Sequence, residues 1–231
     1  MISWLFDLFA GIYLRIDKLK PLPSQELTEE VLVCCCGSAN FFIYRQGKKL
    51  ILIDCGFFLP VIRREFRALN LNPAQVSHIF LTHSDFDHRG GLKLFPQAEV
   101  YLSRQEEVMV NGTLARKYSF IKNRPIPHYR PLADGERIEI DGLKVTAIAA
   151  PGHTPGSMVY LFNDSLLFSG DAFALVNGKA RPTGPYYNMD RQASEISLGK
   201  LASLPGIKQV FTAHWGYSGD YGKAMSSWRQ A

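Results

Sequence analysis

The chain has 231 residues, 46% of them hydrophobic and 20% charged, with a formal net charge of +5 at pH 7. This composition is ordinary for a globular protein, and the length allows one large domain or two small ones with a real core. The basic excess suits an anionic substrate or a weak surface contact. It is too small to indicate nucleic-acid binding by itself.

Residues 1–22 carry an amphipathic helical pattern. The apolar side chains that recur at helical spacing are Ile2, Leu5, Phe6, Phe9, Ile12, Tyr13 and Ile16. Asp7 and Arg15 interrupt the run, and no early positive charge or cleavage site marks a signal peptide, so we predict no transmembrane segment. We predict a helix that packs on its own domain or on a second subunit of a homodimer. Membrane-surface attachment through Arg15, Lys18 and Lys20 is the less favoured alternative.

Three of the four cysteines are consecutive, at Cys34, Cys35 and Cys36. Adjacent residues of a strand point to opposite faces, so this run is a poor disulfide framework. The chain has no C-x-x-C pair, which argues against zinc bound by sulfur. We therefore expect small buried side chains in a reducing compartment and a cytoplasmic protein.

From residue 23 to residue 231, short β-like runs are mixed with helical patterns. The predicted strands are 31–36, 41–45, 49–54, 76–81, 98–102, 137–140, 144–150, 158–162, 165–169 and 208–213, and the predicted helices are 58–70, 190–204 and 224–230. Ser103 followed by Glu106 has the spacing of a capping box that opens a short helix. Residues 111–135 are polar and interrupted by prolines, and this excursion could border a site. The mixture predicts an α/β or α+β domain with helices covering sheets.

The stretch THSDFDHRGG places four potential metal ligands within six positions. These ligands are His83, Asp85, Asp87 and His88, and three more follow later strands: His153, Asp171 and His214. Loops at strand ends are where a rigid scaffold presents functional groups. Imidazole and carboxylate together suit Zn, Mn or Fe. A single histidine beside an aspartate is usually a surface ion pair, but seven such residues at strand ends indicate a metal site.

The spacing within this stretch separates the ligands into two groups. In an extended loop His83 and Asp85 point the same way, whereas the neighbours Asp87 and His88 diverge. One tetrahedral ion cannot easily use all four, but two ions on either side of the loop can, and they could share a bridging carboxylate.

Five ordered motifs carry a family resemblance over roughly residues 31–217. LILIDCG, THSDFDH, PGHTPGS, SGD and AHWG resemble the successive motifs of the metallo-β-lactamase superfamily. The resemblance implies a four-layer αββα sandwich: two sheets face to face, helices outside, and a metal site at one edge. The N-terminal helix would be an addition to this domain, which we place at 23–231.

The resemblance also implies a role for each ligand. His83 and His153 would bind a first ion, and Asp87, His88 and His214 a second, with Asp171 bridging; Asp54 would support the ligands. The family pattern is H-x-H-x-D-H, and this chain has Asp85 at the second histidine. Asp85 could bind the first ion directly, bind it through water, or leave that site weak, and it should favour harder ions than a third histidine would.

The resemblance and the ligand set together predict a metal-dependent hydrolase of a small molecule. We expect two divalent ions, Zn²⁺ in the first place with Mn or Fe as alternatives, and a metal-activated water that Asp87 orients. We favour an ester, thioester or lactone substrate. A phosphodiesterase or nuclease, an iron-dependent oxidative enzyme and a non-catalytic metal-binding scaffold are the alternatives.

Four further residues match no motif or have two interpretations. His78 lies within a predicted strand, which favours a place in the core or beside the ligands, and His128 is expected to face solvent. Tyr186 and Tyr187 could either stabilise an oxyanion or pack as ordinary aromatic side chains.

Deleting residues 1–20 tests the N-terminal helix. If its apolar stripe is buried against protein, the truncated chain should melt at a lower temperature or change its oligomeric state. Thermal unfolding and light scattering measure both properties. Unchanged melting together with an unchanged mass in solution would contradict the prediction.

Overall fold

The computed structural model describes residues 19–116 and 125–229. The predicted N-terminal helix lies almost entirely in 1–18, outside the described residues, so that helix and the boundary at residue 23 stay predictions. Within the described ranges, no helix has both the length and the apolar character that crossing a bilayer requires.

The first sheet has seven strands in sequential order. They are β1 (Gln25–Glu26), β2 (Val31–Cys36), β3 (Ala39–Gln46), β4 (Lys49–Ile53), β5 (Val76–Phe80), β6 (Glu99–Ser103) and β7 (Arg130–Leu132). Strands β1 to β4 pair antiparallel, whereas β4 to β7 run parallel. Because β4 and β5 are parallel, the segments that leave their carboxyl ends begin at the same edge of the sheet.

The second sheet has six strands in the order β15-β14-β11-β10-β9-β8. They are β8 (Arg137–Ile140), β9 (Leu143–Ala149), β10 (Met158–Phe162), β11 (Leu166–Gly170), β14 (Gln209–Thr212) and β15 (Tyr217–Ser218). Among its described pairs, β11 and β14 run parallel and the others run antiparallel. Strands β12 (Ala174–Val176) and β13 (Lys179–Arg181) form a separate hairpin.

Five α-helices are described. They are α1 (Leu59–Ala68), α2 (Phe86–Arg89), α3 (Glu107–Val110), α4 (Arg191–Ala202) and α5 (Tyr221–Ala224). Asp190 caps α4, since its carboxylate accepts a hydrogen bond from the Ala193 N–H. The closing helix, predicted over 224–230, instead spans Tyr221–Ala224, because Asp220 caps it by accepting from the Lys223 N–H.

The two sheets pack face to face around an aromatic core. Phe42, Phe80, Tyr160, Phe168 and Phe211 fill the space between them. The opposite faces are covered by helices: α1 contributes Val61, Ile62 and Phe66 to one outer layer, and α4 contributes Leu198 and Leu201 to the other. The predicted αββα sandwich is therefore confirmed.

The cysteine run follows the alternation of β2. Cys34 and Cys36 are buried in the α1 layer, and all four cysteines are free. Burial raises the pKa of the Cys34 and Cys55 thiols well above the ordinary value. These thiols therefore stay protonated and act as small apolar side chains.

Candidate metal centre

The seven predicted ligands lie together beyond the carboxyl ends of four strands. His83, Asp85, Asp87 and His88 follow β5, and His153, Asp171 and His214 follow β9, β11 and β14. The first sheet therefore supplies one ligand loop and the second sheet supplies three. The four imidazoles are at most 3% exposed, so the centre is almost closed to solvent on their side.

Three of the imidazoles are oriented through their Nδ1 atoms. The Nδ1–H of His214 donates to the Ser38 carbonyl oxygen at 2.7 Å, and that of His88 donates to the Asp54 carboxylate at 2.7 Å. His83 Nδ1 lies 3.0 Å from the Thr82 hydroxyl oxygen. Fixing Nδ1 in this way directs each Nε2 towards the other ligands, which is how proteins orient histidines for a metal ion.

Hydrogen bonds to Asp54 fix the loop that follows β5 and carries four of the ligands. The Asp54 carboxylate accepts from the Thr82 N–H at 2.8 Å and from the Thr82 hydroxyl at 2.9 Å, in addition to His88. Its backbone is left-handed, with φ 60°, a conformation that aspartate tolerates better than most residues. Asp54 therefore occupies the supporting position that the sequence predicted for it.

The ligand atoms form two groups that meet at Asp171. Within each set, one ligand atom per residue lies within 4.8 Å of the others. The two sets are His83, Asp85 and His153, and Asp87, His88 and His214, and a third set of His83, His88 and Asp171 joins them. Asp171 Oδ2 lies 3.4 Å from His153 Nε2 and 3.3 Å from His214 Nε2. One carboxylate oxygen thus contacts both groups, as a bridging ligand would.

Two potential ligand atoms of the centre have no hydrogen-bond partner in the described part of the chain. His88 Nε2 and Asp171 Oδ1 are buried without a hydrogen-bond partner among the described residues. His83 Nε2 and His153 Nε2 face each other at 3.1 Å. Buried polar atoms without a hydrogen-bond partner are unfavourable, and nitrogen and oxygen atoms crowded this closely provide the ligands that a cation would bind. The nitrogen and oxygen donors therefore fit a divalent ion such as Zn, Mn or Fe.

Electrostatics gives Asp171 and His153 the protonation states that a metal ion requires. Burial disfavours the charged form of Asp171, but the imidazoles of His214, His88 and His153 outweigh it and hold its pKa well below the usual range. Burial and then the charge of His83 lower the pKa of His153 to about 4. At neutral pH the carboxylate is ionised and this imidazole is neutral, so neither loses binding capacity to a proton. Burial would lower the pKa of His88 and of His214, but neighbouring carboxylates outweigh it and raise both, so a bound ion would have to displace a proton from these two imidazoles.

Glu106 departs from its predicted role. The Ser103 hydroxyl oxygen accepts from the Gln105 N–H at 3.2 Å, so Ser103 does cap the short turn that follows it. Glu106 does not return a bond to Ser103. Its side chain is fully buried and points across the fold, where its carboxylate accepts four hydrogen bonds. A capping box would have given it only one, from the Ser103 N–H.

The Glu106 carboxylate joins the two loops that carry the first ligand set. One oxygen accepts from the Ser84 N–H at 2.9 Å and from its hydroxyl at 2.7 Å. The other accepts from the Thr154 hydroxyl at 2.7 Å and the Gly156 N–H at 3.1 Å. Ser84 follows His83 and Thr154 follows His153, so Glu106 fixes the spacing between the two ligand loops.

Arg116, within the polar excursion of 111–135, also reaches the centre. Its Nε lies 3.3 Å from Asp85 Oδ2. Its guanidinium further donates to the carbonyl oxygen of His153, and to that of Tyr187 at 2.8 Å. The excursion therefore borders the centre at Arg116, a contact that its sequence did not specify.

The remaining candidates lie beside or away from the ligands. His78, on β5, stacks on Tyr101 with its Nε2 3.9 Å from a Glu99 oxygen, so it does not support the ligands. His128 is exposed, as predicted. The Tyr187 ring packs edge-on against Trp215, which itself contacts His214. Tyr186 is 77% exposed.

Most of the chain matches one known family. A family model described as the metallo-beta-lactamase superfamily matches residues 36–214, a span that contains all seven candidate ligands. The chain belongs to the metallo-β-lactamase superfamily. The predicted membership of this superfamily is therefore confirmed.

Two curated members of the superfamily show how far the similarity extends. The hydroxyacylglutathione hydrolase of Dechloromonas aromatica (strain RCB) is 30% identical over 176 residues, which are 75% of this chain and 56% of that protein. The lactamase-like protein nscB of Trichophyton rubrum is 31% identical over 189 residues, 76% of this chain and 53% of that protein. The chain spans about half the length of the curated relatives it matches.

Solved structures of the superfamily share the fold. MEM-A1, a subclass B3 metallo-β-lactamase from a soil metagenome library, aligns with a TM-score of 0.66 at 24% identity and covers 86% of this chain and 81% of its own. A B3 metallo-β-lactamase with an active-site glutamic acid aligns with a TM-score of 0.70 at 21% identity, and the alignment covers 94% of this chain and 90% of that one. At these identities the likeness concerns architecture alone.

The variant Glu106→Gln tests the link between the two ligand loops. It preserves volume but turns one acceptor oxygen into a donor that faces N–H and O–H groups. We expect the free energy of unfolding to fall by about 3 kcal/mol. Urea denaturation measures this change. Glu107→Gln, at the exposed neighbouring position, is the control, and equal stability of the two variants would contradict the assignment.

Proposed function

We propose that this chain is a metal-dependent hydrolase that holds two divalent ions. The observation that carries the proposal is the convergence of four imidazoles and three carboxylates in two groups that share Asp171. The first ion would be held by His83, Asp85 and His153, and the second by Asp87, His88 and His214. Bound divalent ions supply a hydroxide nucleophile near neutral pH and polarise the substrate oxygen.

Asp87 is our candidate for proton transfer. Its side chain is 19% exposed, against 15% for Asp85 and 5% for Asp171, so it is the carboxylate of the centre most open to water. Its Oδ2 lies 3.5 Å from His214 Nε2. A carboxylate in this position can orient the attacking water and pass its proton to the leaving group.

We propose an ester, thioester or lactone as the bond that is cleaved. The similarity to hydroxyacylglutathione hydrolases supports this class, because an acyl group carried on the thiol of glutathione is a thioester. The net charge of +5 suits an anionic substrate of this kind.

We propose Zn²⁺ as the resident ion, with Mn²⁺ and Fe²⁺ as alternatives. Nitrogen ligands predominate among the seven, which suits zinc, whereas Asp85 adds a hard oxygen donor to the first set. Metal analysis of protein purified without added metal decides between them.

Asp171→Ala tests the proposed bridge. Because Asp171 contacts both ligand sets, its loss should lower kcat/KM by about 100-fold or more and remove part of the metal. Plasma emission spectrometry gives the metal content. Turnover is measured on a panel of thioester, ester, lactone, β-lactam and phosphodiester substrates.

Glu139→Ala, which removes an exposed carboxylate on β8, is the control and should leave both properties unchanged. Wild-type turnover and full metal content in Asp171→Ala would contradict the proposal. Cleavage confined to phosphodiesters, with binding that weakens steeply in salt, would favour a nuclease instead. Bound iron with oxygen consumption would favour the oxidative alternative.

A further inference from the structure

Asp85 stands where the superfamily pattern has a histidine, and it adds a negative charge to the first ligand set. Its Oδ2 lies 3.2 Å from His153 Nε2 and 3.5 Å from His83 Nε2, so it is within reach of an ion held by both. A neutral imidazole at this position would bring no charge. The aspartate therefore makes the first set more anionic than a three-histidine set would be.

A cation lies against this extra charge. Arg116 Nε is 3.3 Å from the same oxygen, Asp85 Oδ2, that faces the two histidines. The Arg116 side chain is only 18% exposed, so solvent screens the pair incompletely. The guanidinium is also held by the carbonyl oxygens of His153 and Tyr187, which fixes it in place.

We infer that Asp85 and Arg116 act together as one charge-compensated replacement for the missing histidine. This inference rests on the proposed function, since it concerns the affinity of the first metal site. The guanidinium would share the Asp85 oxygen with a bound ion and so would limit how strongly that oxygen binds the ion. Arg116 is thus a positioning residue that acts through Asp85.

The consequence is that restoring the histidine alone should harm the site. In Asp85→His the guanidinium keeps its place on the two carbonyl oxygens but loses its carboxylate. An unneutralised positive charge then lies beside the divalent ion and opposes its binding. Removing that charge as well should recover the affinity.

The test is the metal dissociation constant of the first site, measured by competition with a chromophoric chelator. We expect Asp85→His to weaken the first site by about tenfold, and Asp85→His with Arg116→Met to bind at least as tightly as the wild type. Arg116→Met keeps an unbranched, flexible side chain but removes the guanidinium and its charge. Asp85→His with Arg116→Lys retains a cation and should not recover the affinity.

Each outcome decides a different question. Provided that the wild type binds two ions, two results would overturn the inference. One is equal metal affinity of Asp85→His with and without Arg116→Met, and the other is recovery of the affinity when Arg116→Lys is combined with Asp85→His. A wild type that binds no metal would overturn the proposed function and the inference with it. Thermal unfolding of every variant shows that the proteins compared are folded.

Discussion

Eight titratable side chains, four imidazoles and four carboxylates, lie within a few ångströms of one another where the loops of the two sheets meet. Buried charges are tolerated only when each finds a partner of opposite charge or a set of hydrogen bonds. Protein atoms meet this need for some of them, such as Asp54 with Thr82 and His88. Others, such as His88 Nε2 and Asp171 Oδ1, lie 3.6 Å apart and have no hydrogen-bond partner among the described residues. The unmet requirement is the physical reason why the centre fits cations.

Groups outside the ligand set fix where the ligands stand. Asp54 holds the β5 loop, Glu106 joins that loop to the loop after β9, and Arg116 binds Asp85 together with two carbonyl oxygens. The backbone contributes as well. Gly170 has φ 51°, and a Cβ there would lie 2.4 Å from the Thr82 hydroxyl oxygen, so only glycine lets Asp171 approach the β5 loop.

The parts of this molecule that sequence predicted are those whose signals are local. The hydrophobic periodicity that predicts strands and helices depends only on residues close together in the sequence. The ligand motifs likewise lie directly after predicted strands. The hairpin of β12 and β13 was also within reach, because Asn177-Gly178, with φ 52° and 74°, is a typical two-residue turn. Glu106 and Arg116 were not, because their partners lie up to 50 and 71 residues away and only the folded chain brings them together.

The most direct measurement of the central claim is anomalous diffraction from crystals of the protein loaded with zinc or manganese. Two anomalous peaks about 3.5–4 Å apart are expected. One peak should lie against His83, Asp85 and His153, the other against Asp87, His88 and His214, and the Asp171 carboxylate should lie between them. A single peak, or two peaks bound by other residues, would contradict a two-metal centre built from these loops.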